Sequence, residues 1–551
     1  MHRKLCFSLL FTLFFAAVFG QIQNIVTDDG ITSDLHKQNI GRIIFMAKPL
    51  PIEEFRQTDF LSVFALTDSV DLNIRVFMAR SLTNSLHMLA PDMTAAELLD
   101  NGNYQFTFFI DNKLIYKENL NRGAGTSERK NKMTVFRVPL VSTSNEDSWG
   151  RFLWNRFMVN GGADGLTEGT HELKIEIRPY LDKGGIISGD IIASGQLKLN
   201  IAYPEVSAQQ TAVQVIQSGS DWALSSSQYD KEKIIQLNKK ILQKRLKEIT
   251  SIVVVKNGKL LLEEYFIGAS RETLHDTRSV GKSFASAMMG IAIKEGFVNS
   301  EYQLLRDFYD LKRFSNYSVQ KDSVKIKDLL MMASVFNGSD ADNDSPGNEE
   351  KMYPTENWVK FTLDLPIDTS KRNGGQWDYF TAGVVLLGDI LNRTVPGGLE
   401  KYASDKLFQP LGIKSFKWEY TPQHVANTAG GLRLRSLDLA KFGQLYKDKG
   451  RWNGKQILTA EWVKATLSPQ IQISETDNAF YGYLFWNKTY TVGGKKYEAF
   501  YCSGNGGNKV FIFKDLPLTI VITSTAFGKP YAHLQVDKIM EEFILPAVVK
   551  E

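Results

Sequence analysis

The first 200 residues of the chain alternate between apolar and polar positions over short stretches. YQFTFFID (104–111), GTHELKIEIRPYL (169–181) and GQLKLNIAY (195–203) are such stretches, and clusters of glycine, asparagine and aspartate separate them. Short alternating segments with turn residues between them predict an all-β sandwich. We place this domain at residues 21–205. Because it shows no set of catalytic residues, we expect an accessory module that docks a partner the sequence does not identify.

A different periodicity begins after a polar stretch, residues 206–227, which we interpret as a linker. Apolar residues recur at helical spacing in YDKEKIIQLNKKILQKRLKEI (229–249). TSIVVVKNGKLLLEEYF (250–266) predicts two strands joined by an Asn-Gly turn. Helical patterns follow, then more strands and a last helix. We therefore predict an α/β (α+β) domain over residues 228–551, with an antiparallel sheet that joins both ends of the domain, flanking helices and an inserted helical lobe.

The amino-terminal residues have the layout of a secretory signal peptide. A short basic head precedes an apolar run from Leu5 to Phe19, and Gly20 follows. A membrane anchor is the alternative, but the run is shorter than the roughly 20 residues that span a bilayer. We predict a signal peptide at residues 1–20 and an exported mature protein, periplasmic or extracellular, without a transmembrane segment. Cys6 lies in this signal, so Cys502 is the only thiol of the mature chain.

Charge and histidine spacing exclude several classes of function. The formal net charge is +4 over 551 residues, too small to indicate a nucleic-acid partner. No histidine forms an H-x-x-x-H pair or lies near Cys502, the cysteine of the mature chain, so we predict no metal and no cofactor. The histidines are His2, His36, His87, His171, His275, His424 and His533.

Two chemistries overlap in the stretch HDTRSVGKSFASAMMGIAIKEG, residues 275–296. A phosphate-binding loop, G-x-x-x-x-G-K-[ST], would need a glycine at position 276, where Asp276 stands. Ser279 and Lys282 are three residues apart, so they share one face of a helix. The small and apolar residues that follow predict that this helix is buried. We favour the Ser-x-x-Lys interpretation, although serine is also a common helix cap.

The serine and lysine pair could act chemically. A serine hydroxyl becomes a good nucleophile when a base takes its proton, and a neighbouring lysine can take or relay that proton. The free N–H groups at the start of a helix lie where an oxyanion would develop. The stretch therefore predicts a nucleophilic serine attacking a carbonyl carbon.

Several blocks of the chain carry a family resemblance, and they occur in the order typical of that family. From about Trp222 onward the chain resembles the serine β-lactamase-like hydrolases: class C β-lactamases, D-alanyl-D-alanine carboxypeptidases and related esterases and amidases. It is most similar to the 6-aminohexanoate-dimer hydrolase branch. The blocks are GKLLLEEYF, HDTRSVGKSFASAMMGIAI, VKIKDLLMMAS, WDYFTAGVVLLGDIL, LFQPLGI, GGLRLRSLDLAKFGQLY, YGYLFW and SGNGGNKVFIF.

The resemblance implies a role for three side chains. Ser279 matches the family nucleophile and Lys282 its lysine partner. Tyr379, in WDYFT, matches the tyrosine that shares proton transfer with the lysine. Without the resemblance, Tyr379 would be interpreted as a buried ring in an aromatic stretch.

The resemblance also implies a substrate-binding strand beside the nucleophile. Ser503, Gly504 and Asn505 match it, and the N–H groups of Asn505 and Ser279 would bind the oxyanion. Glycine suits a strand that substrate must approach closely. The alternative for SGNGGN is a flexible hairpin loop.

Two positions depart from the family pattern. Thr381 stands where the second element usually has asparagine, and Cys502 stands where the third has a cation. We therefore expect acyl-enzyme hydrolysis of an ester or small amide, in a small-molecule or short peptide substrate, with little or no antibiotic hydrolysis. Two alternatives stay open: a catalytically weak or inactive penicillin-binding-like receptor or scaffold, and a Cys502 thiol nucleophile with a histidine partner.

Overall fold

The computed structural model describes residues 23–67, 70–122, 124–142, 149–474 and 479–549. The chain divides into two compact units, Met1–Tyr203 and Pro204–Glu551. The predicted signal peptide, residues 1–20, lies outside the described residues. Among the helices of the described segments, none has both the length and the apolar character needed to cross a membrane.

The first unit consists mainly of β-strands, with short helices between several of them. Its strands are β1 (Ile43–Met46), β2 (Val63–Leu66), β3 (Leu72–Phe77), β4 (Gly102–Ile110), β5 (Lys113–Asn119), β6 (Val135–Val141), β7 (Gly169–Asp182), β8 (Ile186–Ser188) and β9 (Ala193–Ile201). Its helices are α1 (Asp34–Asn39), α2 (Leu82–His87), α3 (Ala95–Asn101), α4 (Ser127–Lys132), α5 (Trp149–Phe157) and α6 (Ala163–Gly165).

The strands of this unit form two sheets. One has the order β1–β3–β6, and the other the order β2–β9–β7–β4–β5 with β8 paired to β7. Side chains of both sheets, among them Ile74 and Phe106, belong to one hydrophobic core. The three stretches predicted as strands are confirmed as β4, β7 and β9, whereas the helix α5 was not predicted. The sandwich arrangement itself stays a prediction.

The second unit mixes strands and helices. Its strands are β10 (Ile249–Lys256), β11 (Lys259–Tyr265), β12 (His275–Asp276), β13 (Lys417–Trp418), β14 (Leu432–Leu434), β15 (Arg451–Trp452), β16 (Lys455–Gln456), β17 (Ile471–Ser474), β18 (Ala479–Tyr481), β19 (Trp486–Val492), β20 (Lys495–Gly504), β21 (Asn508–Phe513) and β22 (Leu518–Ser524). Its helices are α7 (Ala208–Thr211), α8 (Lys231–Leu242), α9 (Val280–Lys294), α10 (Val319–Asp322), α11 (Ile326–Leu330), α12 (Glu349–Met352), α13 (Trp358–Asp364), α14 (Thr381–Thr394), α15 (Gly398–Ala403), α16 (Ser436–Lys447), α17 (Ala460–Thr466), α18 (Ala532–Lys538) and α19 (Leu545–Val548).

One large antiparallel sheet organises the second unit. Its strand order is β11–β10–β22–β21–β20–β19–β18–β17. The first strands along the unit thus pair with the last, because β10 lies beside β22. Asn257 and Gly258 join β10 to β11 with φ values of +54° and +70°, as a primed hairpin turn requires. The predicted antiparallel sheet with an inserted helical lobe is confirmed.

The sheet separates two hydrophobic cores. On one face Phe284 of α9, Leu386 of α14 and Phe442 of α16 share a core with Val510 of β21. On the other face Ile234 of α8 shares a core with side chains of the carboxy-terminal helices. The helix α9 is buried from Val280 to Ala292, so its amino terminus is held rigidly against the sheet.

Candidate active site

The helix α9 begins directly after a strained turn. Arg278 has φ +48°, in the left-handed region that few residues other than glycine adopt. Its backbone N–H donates to Asp276 Oδ1 at 3.1 Å, and Asp276 belongs to the short strand β12 paired with β14. This turn sets Ser279 at the N-cap position of α9.

The Ser279 hydroxyl does not cap the helix. Its oxygen accepts no hydrogen bond from the backbone of the first turn. It accepts instead from Lys282 Nζ, at 2.8 Å. The ordinary explanation for a serine at this position therefore does not apply, and the hydroxyl is held by the amine one turn further along the helix.

Lys282 is 2 % exposed, yet it has no carboxylate partner within ion-pair distance among the residues that the structure describes. Its second acceptor is the carbonyl oxygen of Ala429, at 2.5 Å. An ideal Cβ built at Gly430, the next residue, would lie 3.6 Å from the Ser279 nitrogen, so this segment runs close to the start of α9. The Lys282 amine is therefore bonded to a hydroxyl and a carbonyl rather than to a carboxylate.

Tyr379 lies beside this pair, although it is 97 residues further along the chain than Lys282. The Lys282 Nζ is 5.3 Å from the centroid of the Tyr379 ring. Tyr379 shortly precedes the buried helix α14, whose first residue is Thr381. The structure therefore brings the three side chains named from the sequence into one place.

An aromatic group surrounds Tyr379. Its ring stacks on Trp486 with centroids 5.8 Å apart, and Trp377 packs edge-on against Trp486 at 5.5 Å. Tyr481 and Tyr501 extend the group through further contacts with Trp486. The Trp377 indole N–H is buried and has no acceptor among the described side chains and backbone. These rings, the aromatic wall, give the site an apolar side.

Asp340 fixes the position of Tyr379, and the sequence interpretation missed it. The Asp340 N–H donates to the carbonyl oxygen of Tyr379 at 2.8 Å. Its carboxylate accepts from the N–H of Thr381 at 2.8 Å and from that of Glu349 at 2.9 Å. Burial raises the pKa of Asp340, and the nearby charge of Lys282 acts in the opposite direction. The stretch SDADND predicts only an exposed acidic turn, so no sequence signal singled Asp340 out.

The predicted substrate strand lies against the start of α9. Gly504 ends β20, and a Cβ there would lie 2.2 Å from the Thr277 carbonyl oxygen and 3.2 Å from the Ser279 nitrogen. Only glycine allows this approach. The half-buried Ser503 pairs with Lys509 of β21.

Asn505 follows the strand in a fixed loop. Its side-chain Oδ1 accepts from the Gly528 N–H at 2.8 Å, and its carbonyl accepts from Asn508 Nδ2 at 3.0 Å. Within the described part of the chain, neither the Asn505 N–H nor the Ser279 N–H donates to a protein acceptor. Both N–H groups are therefore available to a bound group.

Neither of the two departures from the family pattern faces open solvent. Cys502 is 0 % exposed within the core beneath α9, and burial raises the pKa of its thiol to about 12. This excludes Cys502 as an accessible thiol nucleophile. Thr381 is also fully buried. In the described segments, no group of three or more His, Cys, Asp or Glu side chains is placed to hold a metal ion.

Comparison with known proteins shows which family the chain belongs to. The family model described as Beta-lactamase matches residues 239–541, more than half of the chain. The chain belongs to the Beta-lactamase family. This family of serine hydrolases is the one that the sequence blocks resemble, so the resemblance is confirmed.

Individual relatives of this Beta-lactamase family member are distant. The 6-aminohexanoate-dimer hydrolase of Paenarthrobacter ureafaciens is 23% identical over 278 residues, which are 48% of this chain and 67% of that protein. A penicillin-binding protein from Bacillus halodurans is 16% identical, with a TM-score of 0.42, and the match covers 54% of this chain and 96% of that one. A D-stereospecific amidohydrolase from Streptomyces sp. is 15% identical, with a TM-score of 0.42, covering 53% and 92%.

Proposed function

We propose that the protein is an exported serine hydrolase that cleaves an ester or small amide through an acyl-enzyme. The observation that carries the proposal is the 2.8 Å contact between Lys282 Nζ and Ser279 Oγ at the start of the buried helix α9. A serine held by an unpaired amine, with free backbone N–H groups beside it, has the parts that acyl transfer needs.

The contacts around Ser279 support a specific mechanism. Ser279 Oγ attacks the substrate carbonyl carbon while Lys282 Nζ accepts the hydroxyl proton, with Tyr379 sharing the transfer. The N–H groups of Ser279 and Asn505 stabilise the negative oxygen of the tetrahedral intermediate. The leaving group departs with a proton from the tyrosine. Water then attacks the acyl-enzyme, and the same groups move its proton in the reverse direction.

Two observations support an ester or small amide as the substrate rather than a β-lactam. Position 502 carries a buried cysteine, so it supplies no cation for the carboxylate of an antibiotic. The aromatic wall beside Tyr379 instead offers an apolar surface to an acyl or alcohol group. We therefore propose that antibiotic hydrolysis is weak or absent.

The proposal also includes the location of the protein and the role of its first unit. The signal-like residues 1–20 support export to the periplasm or the cell exterior. The shared core of the two sheets in the first unit supports a β-sandwich that serves as an accessory domain.

A comparison of two serine variants tests the nucleophile. Ser279→Ala should abolish hydrolysis of p-nitrophenyl butyrate and labelling by a fluorophosphonate probe. Ser283→Ala, a control on the same helix whose hydroxyl donates to the Leu484 carbonyl at 2.7 Å, should keep both. Labelling that survives Ser279→Ala would mean another nucleophile, and a parent protein that is neither labelled nor active would favour the inactive receptor or scaffold.

A second assay tests the substrate class. The parent protein is incubated with p-nitrophenyl butyrate and with a chromogenic cephalosporin. We expect turnover of the ester and little or none of the cephalosporin. Fast cephalosporin turnover without esterase activity would overturn the proposed substrate class while leaving the nucleophile in place.

A further inference from the structure

The first unit has a cleft on the face of its larger sheet that points away from the hydrophobic core. Along β4, Phe106 and Phe108 belong to the core, whereas Gln105, Thr107 and Phe109 line the cleft. The cleft has a volume of about 320 Å³, within the range of small-molecule sites. Because the cleft belongs to the first unit and Ser279 to the second, its binding properties do not depend on the proposed hydrolase function.

One wall of the cleft carries a buried acceptor without a donor. Gln105 is 3 % exposed, and its Nε2 donates to Asn119 Oδ1 at 2.7 Å and to Ser188 Oγ at 2.9 Å. Its Oε1 is buried and receives no hydrogen bond from any described residue. A buried acceptor without a donor is destabilising, because it has lost its hydrogen bonds to water. A ligand hydroxyl that donates to Gln105 Oε1 would remove this destabilisation.

The charges of the cleft leave an excess of positive charge. Its only lining carboxylate among the described residues, Glu176, is already paired with Lys174 at 2.7 Å and Arg178 at 3.5 Å. Arg178 also donates to the Gly189 carbonyl on the rim, at 3.1 Å. Lys117 is exposed and forms no ion pair with another described residue. Lys117 and the free N–H groups of Arg178 are thus available to one anionic group.

The remaining surface is apolar at one end and hydroxylated at the other. Leu114 is 53% exposed next to the half-buried Phe109, whose ring face is covered by Lys174 Nζ at 5.0 Å. Thr107 lines the floor and Ser188 the rim. A ligand that fits has hydroxyl groups, one negative charge and a C–H surface.

We propose that this cleft binds an acidic saccharide, with a sugar hydroxyl on Gln105 Oε1 and the sugar carboxylate on Arg178 and Lys117. The C–H face of the sugar ring packs on Leu114. An acidic peptide would match the positive charge of the cleft. The cleft, however, lies on the face of a sheet rather than at its edge. A peptide strand could not pair there with free backbone groups as it would at a sheet edge.

Titration calorimetry with tetragalacturonate tests the proposal. The full mature chain carries Ser279→Ala, so that neither turnover nor failure of the hydrolase proposal affects the result. We expect binding that weakens about tenfold with Arg178→Gln or with Gln105→Leu, because each removes one hydrogen-bonding partner of the ligand. Gln196→Leu, the same chemical change at an exposed position of β9 in the same sheet, should leave the affinity unchanged.

One further variant and three contrary results complete the test. Lys117→Gln should also weaken binding. Because Lys117 is exposed, this variant should fold, and it replaces Gln105→Leu as the test if that variant fails to fold. No binding of tetragalacturonate overturns the proposal, as does binding that the cleft variants leave unchanged. Equal affinity for neutral maltotetraose or for a tetraglutamate peptide would also overturn it, because the saccharide and charge requirements would then be wrong.

Discussion

Two buried lysines lie on opposite faces of the same sheet and have opposite surroundings. Lys282 is 2 % exposed and Lys509 is 3 % exposed, and each lies close to a tyrosine ring. Lys509 Nζ forms an ion pair with Asp537 Oδ1 at 3.1 Å. Lys282 Nζ contacts a serine hydroxyl and a backbone carbonyl instead.

The two lysines differ in whether a carboxylate forms an ion pair with them. Burying an ammonium group costs roughly several kcal/mol of hydration free energy, so such a group normally has an anion nearby. Asp537 supplies that anion and also accepts from Lys488 Nζ at 2.9 Å and the Tyr490 hydroxyl at 2.8 Å. No carboxylate of the described residues lies within ion-pair distance of Lys282, and its Nζ contacts Ser279 Oγ instead. Under the proposed mechanism, this contact lets the lysine exchange a proton with the serine.

We expect the largest effect when Lys282 is replaced by methionine, which fills a similar buried volume. The same replacement of Lys509 is the control. Lys282→Met should lower kcat for p-nitrophenyl butyrate about 10³-fold, because the proton acceptor is lost. Lys509→Met should leave kcat within about threefold, since that lysine only neutralises Asp537. Steady-state kinetics and thermal melting measure both. If Lys282→Met keeps a tenth of the parental activity, Lys282 is not the base.

The next prediction concerns Asp537, the counter-ion of Lys509. Asp537→Asn should lower the free energy of unfolding by about 3 kcal/mol, because Lys509 then lies buried without its anion. Urea unfolding measures this loss. The double variant Asp537→Asn/Lys509→Met should recover at least half of it. A loss below about 1 kcal/mol would show that the ion pair is not needed to hold this lysine.

Glu264 extends the comparison to a buried carboxylate that forms no ion pair with a cation of the described residues. It accepts from the Gln214 N–H and from Asn238 Nδ2, each at 2.9 Å, and burial raises its pKa from 4.5 to about 7. The folded protein thus binds this proton more tightly than the unfolded chain. The resulting stabilisation is complete below about pH 4.5 and is lost as the pH rises through 7.

Urea unfolding at pH 5 and pH 8 tests this pH dependence. Between these values, the free energy of unfolding of the parent should fall by about 2 kcal/mol relative to that of Glu264→Gln. The glutamine variant corrects for all other titrating groups, since they are common to both proteins. Equal pH dependence of the two proteins would mean that Glu264 is ionised throughout.

The smallest effect concerns the residue that positions Tyr379. Asp340→Asn weakens the acceptor for the Thr381 and Glu349 N–H groups, so the tyrosine loop should be less well fixed. We expect kcat to fall about tenfold with KM unchanged, because the loss affects proton transfer rather than substrate binding. Asp342→Asn, in the same acidic stretch and exposed, is the control. A rise in KM with unchanged kcat would assign Asp340 to substrate binding instead.

Local patterns predicted the fold of the second unit well. The Asn257-Gly258 turn, the buried helix α9 and the strands β10, β11 and β20 to β22 each depend on neighbouring residues, which the sequence displays directly. Ser279 and Lys282 are three residues apart on one helix, so their contact could be predicted too. Tyr379 could be placed beside them only through the family resemblance, because its position depends on packing between distant segments.

Other parts of the site could not be predicted from the chain alone. Whether Cys502 faces the core or the substrate depends on which face of the strand β20 it occupies, and the aromatic and polar residues around it do not alternate clearly enough to show this. Asp340 has no distinguishing neighbour in sequence, because its partners Thr381 and Tyr379 are about 40 residues away. Its role became visible only from tertiary contacts.

The pairing of β10 with β22 has a consequence for biosynthesis. The strand β10 ends at Lys256 and β22 begins at Leu518, so the centre of the large sheet stays incomplete until the whole segment between them and β22 itself have been made. The strand β20, whose Gly504 lies against the start of α9, is likewise synthesised long after α9. A nascent chain that lacks β20 would therefore carry Ser279 without the Gly504 segment that lies against it, so the proposed oxyanion site would form only after β20 has been made.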